Sequence, residues 1–263
     1  MVKKRLIFTL LFDNGNFFMS RNFNLQLVGD VEWLLQNFQL NSLMRSVDEL
    51  IILDVSRGES NIDLLVKTIN VLSKNAFMPI SVGGKIDSIE KADILFKNGA
   101  DKIVINTLFF KNSDVIRAIT KKYGIQSLIC SLDYKKIKDH QMVFIENGEL
   151  NTNYKLHDAL NMISEIGAGE LYLTSIDKDG LGYGYDLEVI KQASEIVNMP
   201  IIASGGSDNG EKLFEGINKN YIQAVSTSNL FNFIFDGLYD ARNHIINNKI
   251  DLSHWDFKRL DAI

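Results

Sequence analysis

The chain has 263 residues, of which 46% are hydrophobic and 23% charged, with a formal net charge of −5. This is the composition of a globular chain long enough to bury a large core, and its acidic balance argues against a nucleic-acid partner. A single cysteine, Cys130, excludes an internal disulfide; the leading apolar run is too short for a membrane span and carries no signal-peptide cleavage pattern, so a cytoplasmic protein is expected.

Leu6–Leu11 reads as the first strand, closed by the turn residues Asp13-Asn14-Gly15. A loop to about Asp30 and a short helix over Val31–Phe38 follow. Glu49–Asp54 is an unbroken apolar run closing on a carboxylate, which predicts a second strand. Helical spacing returns over Ile62–Asn75. A strand opened by Pro79, a helix over about Ser88–Asn98 and a strand over Lys102–Ile105 come next. Ser113–Tyr123 reads as a helix and Gln126–Asp133 as the fifth strand. Met142–Ile145 with the Asn147-Gly148 turn suggests a hairpin insertion.

Lys155–Ile166 is helical by period, Glu170–Thr174 is the sixth strand, and a glycine-rich loop runs from Asp177 to Gly184. A helix over Leu187–Val197, a strand opened by Pro200, a helix from about Gly210, a strand at Ala224 and a helix near Asp236–Asn247 complete the chain. Strand and helix alternate eight times, and the strands are too apolar to have a wet face. That predicts an α/β fold of one domain over 1–263, a closed parallel (βα)8 TIM barrel.

The pattern also repeats. Pro79-Ile80-Ser81-Val82-Gly83-Gly84 and Pro200-Ile201-Ile202-Ala203-Ser204-Gly205-Gly206 carry the only two prolines, and each opens a strand that ends in paired glycines. Asn106-Thr107 and Thr227-Ser228 end the strands downstream of them. Two half-barrel repeats account for this.

In such a barrel the site lies at the C-terminal strand ends. The residues expected there are Leu11, Asp54, Gly83-Gly84-Lys85, Asn106-Thr107, Asp133, Thr174-Ser175, Gly205-Gly206 and Ser226-Thr227-Ser228. Paired glycines beside hydroxyl and amide groups make an anion cradle, because bare backbone N–H groups at a helix start favour phosphate. Half a barrel separates the two cradles, which suits a ligand phosphorylated at both ends. Asp133 and Asp54 end apolar strands, where a carboxylate can serve as acid or base, or can cap a loop. Cys130 lies in an apolar run and reads as a buried, inert thiol. No metal-ligand spacing or dinucleotide fingerprint is present, and no cofactor is expected.

Several stretches resemble one family in order: Asp48–Asp54, Ser81–Gly84, Gly99–Thr107, Gly167–Glu170, Leu173–Gly180 and Ile201–Gly206. The chain resembles the cyclase subunit of imidazole glycerol phosphate synthase over nearly its full length. That family, a group of lyases of histidine biosynthesis, takes ammonia from a glutaminase partner in a heterodimer and cyclises a substrate carrying two phosphates. The resemblance implies phosphate contacts from Gly84, Asn106, Thr107, Gly205, Gly206 and Ser228. It implies an ammonia gate of Arg5, Glu49, Lys102 and Glu170 at the opposite end, and it makes Asp133 one of two catalytic aspartates.

The other aspartate falls on Leu11, which cannot transfer a proton. Asp13, two residues on, would share its strand face, but a turn is expected there. The family's lysine in the loop after the first strand falls on Met19, and its third glycine after the third strand falls on Lys85. This pattern resembles a paralogous branch with leucine at that aspartate, in which the barrel supplies ammonia to a sugar amidotransferase that adds acetamidino groups to bacterial surface sugars. Three readings follow: an ammonia-conducting subunit of that branch, an active cyclase of histidine biosynthesis with Asp133 acting alone or with Asp13, and a non-catalytic module that activates its glutaminase.

Overall fold

In the computed structural model, which describes residues 3–38, 46–75 and 78–252, β1 (Arg5–Asp13) alternates its side chains between two environments. Leu6, Phe8, Leu10 and Phe12 join the large core beneath the helices. Ile7 instead belongs to a separate inner cluster. Successive strand residues point to opposite faces, so an unbroken apolar run is what a strand buried on both faces requires.

Seven further strands share this arrangement: β4 (Glu49–Asp54), β5 (Ile80–Gly83), β6 (Lys102–Ile105), β7 (Leu128–Ile137), β10 (Glu170–Ser175), β11 (Ile201–Ser204) and β12 (Ala224–Thr227). They pair in parallel in chain order, β10 pairs with β7, and β1 pairs with β12 through Arg5↔Ala224 to Phe8↔Thr227. The ring therefore closes, confirming the eight-stranded (βα)8 barrel. The helices pack outside it, including α1 (Val31–Asn37), α2 (Ile62–Asn75), α3 (Ile89–Lys97), α4 (Leu108–Lys111) and α5 (Ser113–Tyr123). After the fifth strand come α6 (Leu156–Ile166), α7 (Leu187–Ser194), α8 (Gly210–Ile217) and α9 (Gly237–Asn247). Side chains cap several of them: Asp30, Ser88, Asn112 and Asn209 each accept from a first-turn N–H.

Three expectations need correction. The stretch up to Asp30 is not a loop but a hairpin, β2 (Asn16–Arg21) and β3 (Asn24–Asp30), paired antiparallel onto β1. Positive φ at Asn14, Gly15, Asn22 and Phe23 supplies its two tight turns. As a result β1 continues through Asp13 instead of turning before it. The fifth strand likewise runs on to Ile137 and enters a second hairpin, β8 (His140–Ile145) and β9 (Leu150–Lys155).

The half-barrel repeat has a geometric counterpart. Gly84 has φ +85°, and a Cβ there would sit 2.0 Å from the Asp54 carbonyl oxygen. Gly205 has φ +84°, and a Cβ there would sit 2.7 Å from the Ser175 carbonyl oxygen. In both halves a strand passes so close to its neighbour's end that only glycine fits. The hairpins are also placed alike, after the first and the fifth strand.

Candidate functional site

A cavity of about 630 Å³ opens at the C-terminal strand ends. Leu11, Asp54, Gly84, Lys85, Asn106, Thr107, Asp133, Thr174 and Ser228 line it, so nine of the residues singled out at strand ends come together. Its roof comes from the two hairpins. A Cβ on Gly148, in the β8–β9 turn, would meet the Phe23 ring at 2.7 Å, so the two turns touch over the mouth. Arg57 fastens them to the barrel, donating to the Phe23 carbonyl at 2.6 Å and to Glu149 at 2.5 Å. Asn147 donates to the Val55 and Ser56 carbonyls.

Asp133 is half-buried and lines this cavity. Burial pushes its carboxyl up to about 7, the negative charge of Asp179 adds to the shift, and the Thr174 and Ser131 hydroxyls partly offset it. Asn106 Nδ2 donates to Asp133 Oδ2 at 3.0 Å and fixes its orientation. A carboxyl balanced near neutrality can give or take a proton. Leu11 presents no titratable group to the same cavity. Asp13 does not substitute for it: it is absent from the cavity lining and accepts from the Ser56 hydroxyl at 2.7 Å.

Asp54 is buried and accepts from Ser56 N at 3.0 Å and from the Ser60 hydroxyl. Its contacts hold the loop after β4, the structural role open to it from the start. Ser175 is buried but does not line the cavity; it contributes its backbone beside Gly205.

The two paired-glycine strand ends are unequal. Gly84 opens into the main cavity with Lys85, Lys91, Lys111 and Arg57 around it. Lys91, Lys111 and Arg57 pair with Asp87, Glu146 and Glu149 respectively. Lys85 has no salt-bridge partner among the described residues, and its φ is +57°. Gly205 and Gly206 do not reach the main cavity. They line a separate cleft of about 20 Å³ with Met19, Asp179, Gly180, Ser207, Asp208 and Ser228. Met19 and Ser20 of the first hairpin close over it, and the Ser20 hydroxyl donates to Asp179 Oδ2 at 2.5 Å. Burial also raises the Asp179 carboxyl, against the hydrogen bonds from Ser20 and the Phe23 N–H.

At the other end of the barrel Arg5, Glu49, Lys102 and Glu170 form one cluster. Arg5 donates to Glu49 at 2.5 Å and also to Glu170. Lys102 lies 2.5 Å from Glu170 and 3.5 Å from Glu49. Burial alone would raise the Glu170 carboxyl, but Arg5 and Lys102 outweigh it and hold the group below the usual range. Arg5 Nε and Glu49 Oε2 remain buried without a partner.

Sequence reasoning missed Tyr172, Asp179 and the roof residues Phe23 and Asn147. Asp179 stood in the glycine-rich loop after the sixth strand, and Tyr172 at an inward position of that strand, so both carried a weak signal. The roof depends on two hairpins meeting in space, which no local pattern encodes.

A family model described as "Histidine biosynthesis protein" matches residues 22–236. A protein of Parasynechococcus marenigrum (strain WH8102), carrying the provisional name imidazole glycerol phosphate synthase subunit hisF2, is 38% identical over 256 residues, 97% of this chain and 95% of its own. The imidazole glycerol phosphate synthase subunit HisF of Chlorobium phaeobacteroides (strain DSM 266 / SMG 266 / 2430) is 32% identical over 254 residues, 96% of this chain and 99% of its own. The same subunit of Chlorobaculum parvum (strain DSM 263 / NCIMB 8327) is 33% identical over 246 residues, 93% of this chain and 96% of its own. No helix among the described residues is long and apolar enough to cross a membrane.

Proposed function

We propose, since this chain belongs to the histidine biosynthesis protein family and within it to the HisF-like cyclase subunits of imidazole glycerol phosphate synthase, that it receives ammonia from a glutaminase partner and conducts it through the barrel. The acceptor on this reading is a sugar amidotransferase docked over the mouth, and the product an amidinated surface sugar. One observation carries the reading. The charged cluster of Arg5, Glu49, Lys102 and Glu170 is complete at one end, while at the other Asp133 shares its cavity with Leu11, where an acid–base pair would need a second carboxyl. Removing one member of such a pair costs roughly 10²–10⁴ in rate.

A second reading is supported by Asp133 itself. Burial in the cavity pushes its carboxyl up to about 7, a property an active cyclase would use. In this reading Lys85 and Thr107 hold one phosphate of the substrate, and Asp133 moves the proton alone.

Turnover of the two-phosphate cyclase substrate with saturating ammonium salt, for the wild type beside Leu11→Asp, separates the two. Activity only in Leu11→Asp supports ammonia delivery. Clear wild-type turnover overturns it in favour of the cyclase.

A further inference from the structure

The interior of the barrel changes character along its axis. Above the charged cluster lies an apolar belt of Ile7, Ile51, Val104, Ile129, Ile202 and Ala224, one aliphatic side chain from each of six strands. The remaining member of that cluster is Tyr172, from β10. It is the bulkiest of the set, and it also lines the floor of the mouth cavity. Its ring therefore stands at the boundary between belt and cavity.

The hydroxyl of Tyr172 is held from three other strands. Ser204 of β11 donates to it at 2.8 Å, Thr9 of β1 lies at 3.2 Å and Ser226 of β12 at 3.3 Å. Thr9 and Ser226 are themselves 2.7 Å apart. A side chain rooted in one strand and anchored on three others is drawn across the bore instead of along its wall.

Toward the charged cluster lies a buried polar group without a hydrogen-bond partner. Ile80 and Val82 of β5 pack in the outer core, so Ser81 between them points inward. Ser81 is 1% exposed, and its hydroxyl has no hydrogen-bond partner. A buried hydroxyl without a partner is unfavourable, and Ser81 sits in register with Lys102 and Ile51, between the charged cluster and the belt.

We propose that Tyr172 is a second barrier in the barrel, closing the bore between the charged cluster and the mouth cavity, and that the Ser81 hydroxyl beneath it is a stopping point for one small, neutral, hydrogen-bonding molecule. The aliphatic belt rejects a charged species, because an ion there has no compensating partner. Passage requires the phenol to leave its Ser204–Thr9–Ser226 anchor and swing aside. The identity of the traveller as ammonia rests on the conduction reading above; the barrier itself does not.

The test uses a thiol placed behind the barrier. The natural Cys130 is buried in the outer core under the helices and supplies the blank. Ser81→Cys is treated with methyl methanethiosulfonate, alone and combined with Tyr172→Leu or Tyr172→Phe, and labelling is followed by mass spectrometry. The single variant should label slowly. Tyr172→Leu, which removes ring and anchor, should speed labelling by about tenfold or more, and Tyr172→Phe, which removes only the anchor, by less. Equal rates in a Tyr172→Leu protein with native circular dichroism would overturn the proposal. If that variant does not fold, the near-isosteric Tyr172→Phe decides: faster labelling supports the barrier, an unchanged rate overturns it. The experiment needs neither glutaminase nor ammonia, so its failure is separate from failure of the conduction reading.

Discussion

Asn106 Nδ2 donates to Asp133 Oδ2 at 3.0 Å and to the Ser131 carbonyl at 3.1 Å, so the amide at the end of the fourth barrel strand holds the carboxyl of the fifth in place. That carboxyl has its affinity for a proton raised to about 7, against 3.8 as the ordinary value. The folded state therefore binds more protons than the unfolded chain between those two pH values. Its stability should fall as pH rises through that window, by at most about 1.4 kcal/mol per pH unit from this group. Asp133→Asn removes the dependence. Urea unfolding of both proteins from pH 4 to pH 9 should show the variant gaining on the wild type up to about pH 7, then a constant gap. A pH-independent difference would contradict the shift.

The charged cluster makes a second prediction. Lys102→Met leaves Glu49 and Glu170 sharing Arg5 alone. Stability should drop by about 1–3 kcal/mol. In a complex with the glutaminase, less of the glutamine nitrogen should reach product, measured with amide-¹⁵N glutamine against unlabelled ammonium. Unchanged coupling in a folded variant would remove the channel role.

A buried ion pair ties α9 to the barrel. Arg242 of α9 binds both Asp48 oxygens, at 2.9 and 3.0 Å, and Asp48 Oδ2 also accepts from Leu6 N at 2.7 Å. Helix α9 is thereby pinned beside the first two barrel strands. Asp48→Ala removes one partner of a buried ion pair and should cost about 3–5 kcal/mol in urea unfolding. A loss below about 1 kcal/mol would mean that the pair adds little.

Gly84 offers the sharpest backbone test. Alanine there would meet the Asp54 carbonyl oxygen at 2.0 Å with φ at +85°. Gly84→Ala should destabilise the chain by more than about 1 kcal/mol, and by more than Gly205→Ala, whose closest contact is 2.7 Å. Thermal unfolding of the two variants side by side checks the order.

The element pattern was legible because each barrel strand is buried on both faces. Leu50–Leu53 and Ile103–Ile105 had to be continuous apolar runs, and each helix had to carry one apolar stripe. The Asn147-Gly148 turn announced the second hairpin. The first was missed, because its strands Asn16–Arg21 and Asn24–Asp30 fully bury Phe17 alone and show little periodicity. With it was missed the continuation of β1 through Asp13.

The sequence by itself determined the alternation of strands and helices, the 121-residue spacing of the two prolines that open the repeated strands and the leucine at position 11. These are properties of runs, spacings and single positions. Only the tertiary structure decided that the two paired-glycine strand ends differ, that Asp13 misses the cavity and that Asp54 serves its loop. Only there do Ser204, Thr9 and Ser226, from three separate strands, converge on the Tyr172 hydroxyl. The physical reason is range: periodicity reports which face of an element is buried, whereas a site is made by groups distant in sequence that meet once the barrel has closed.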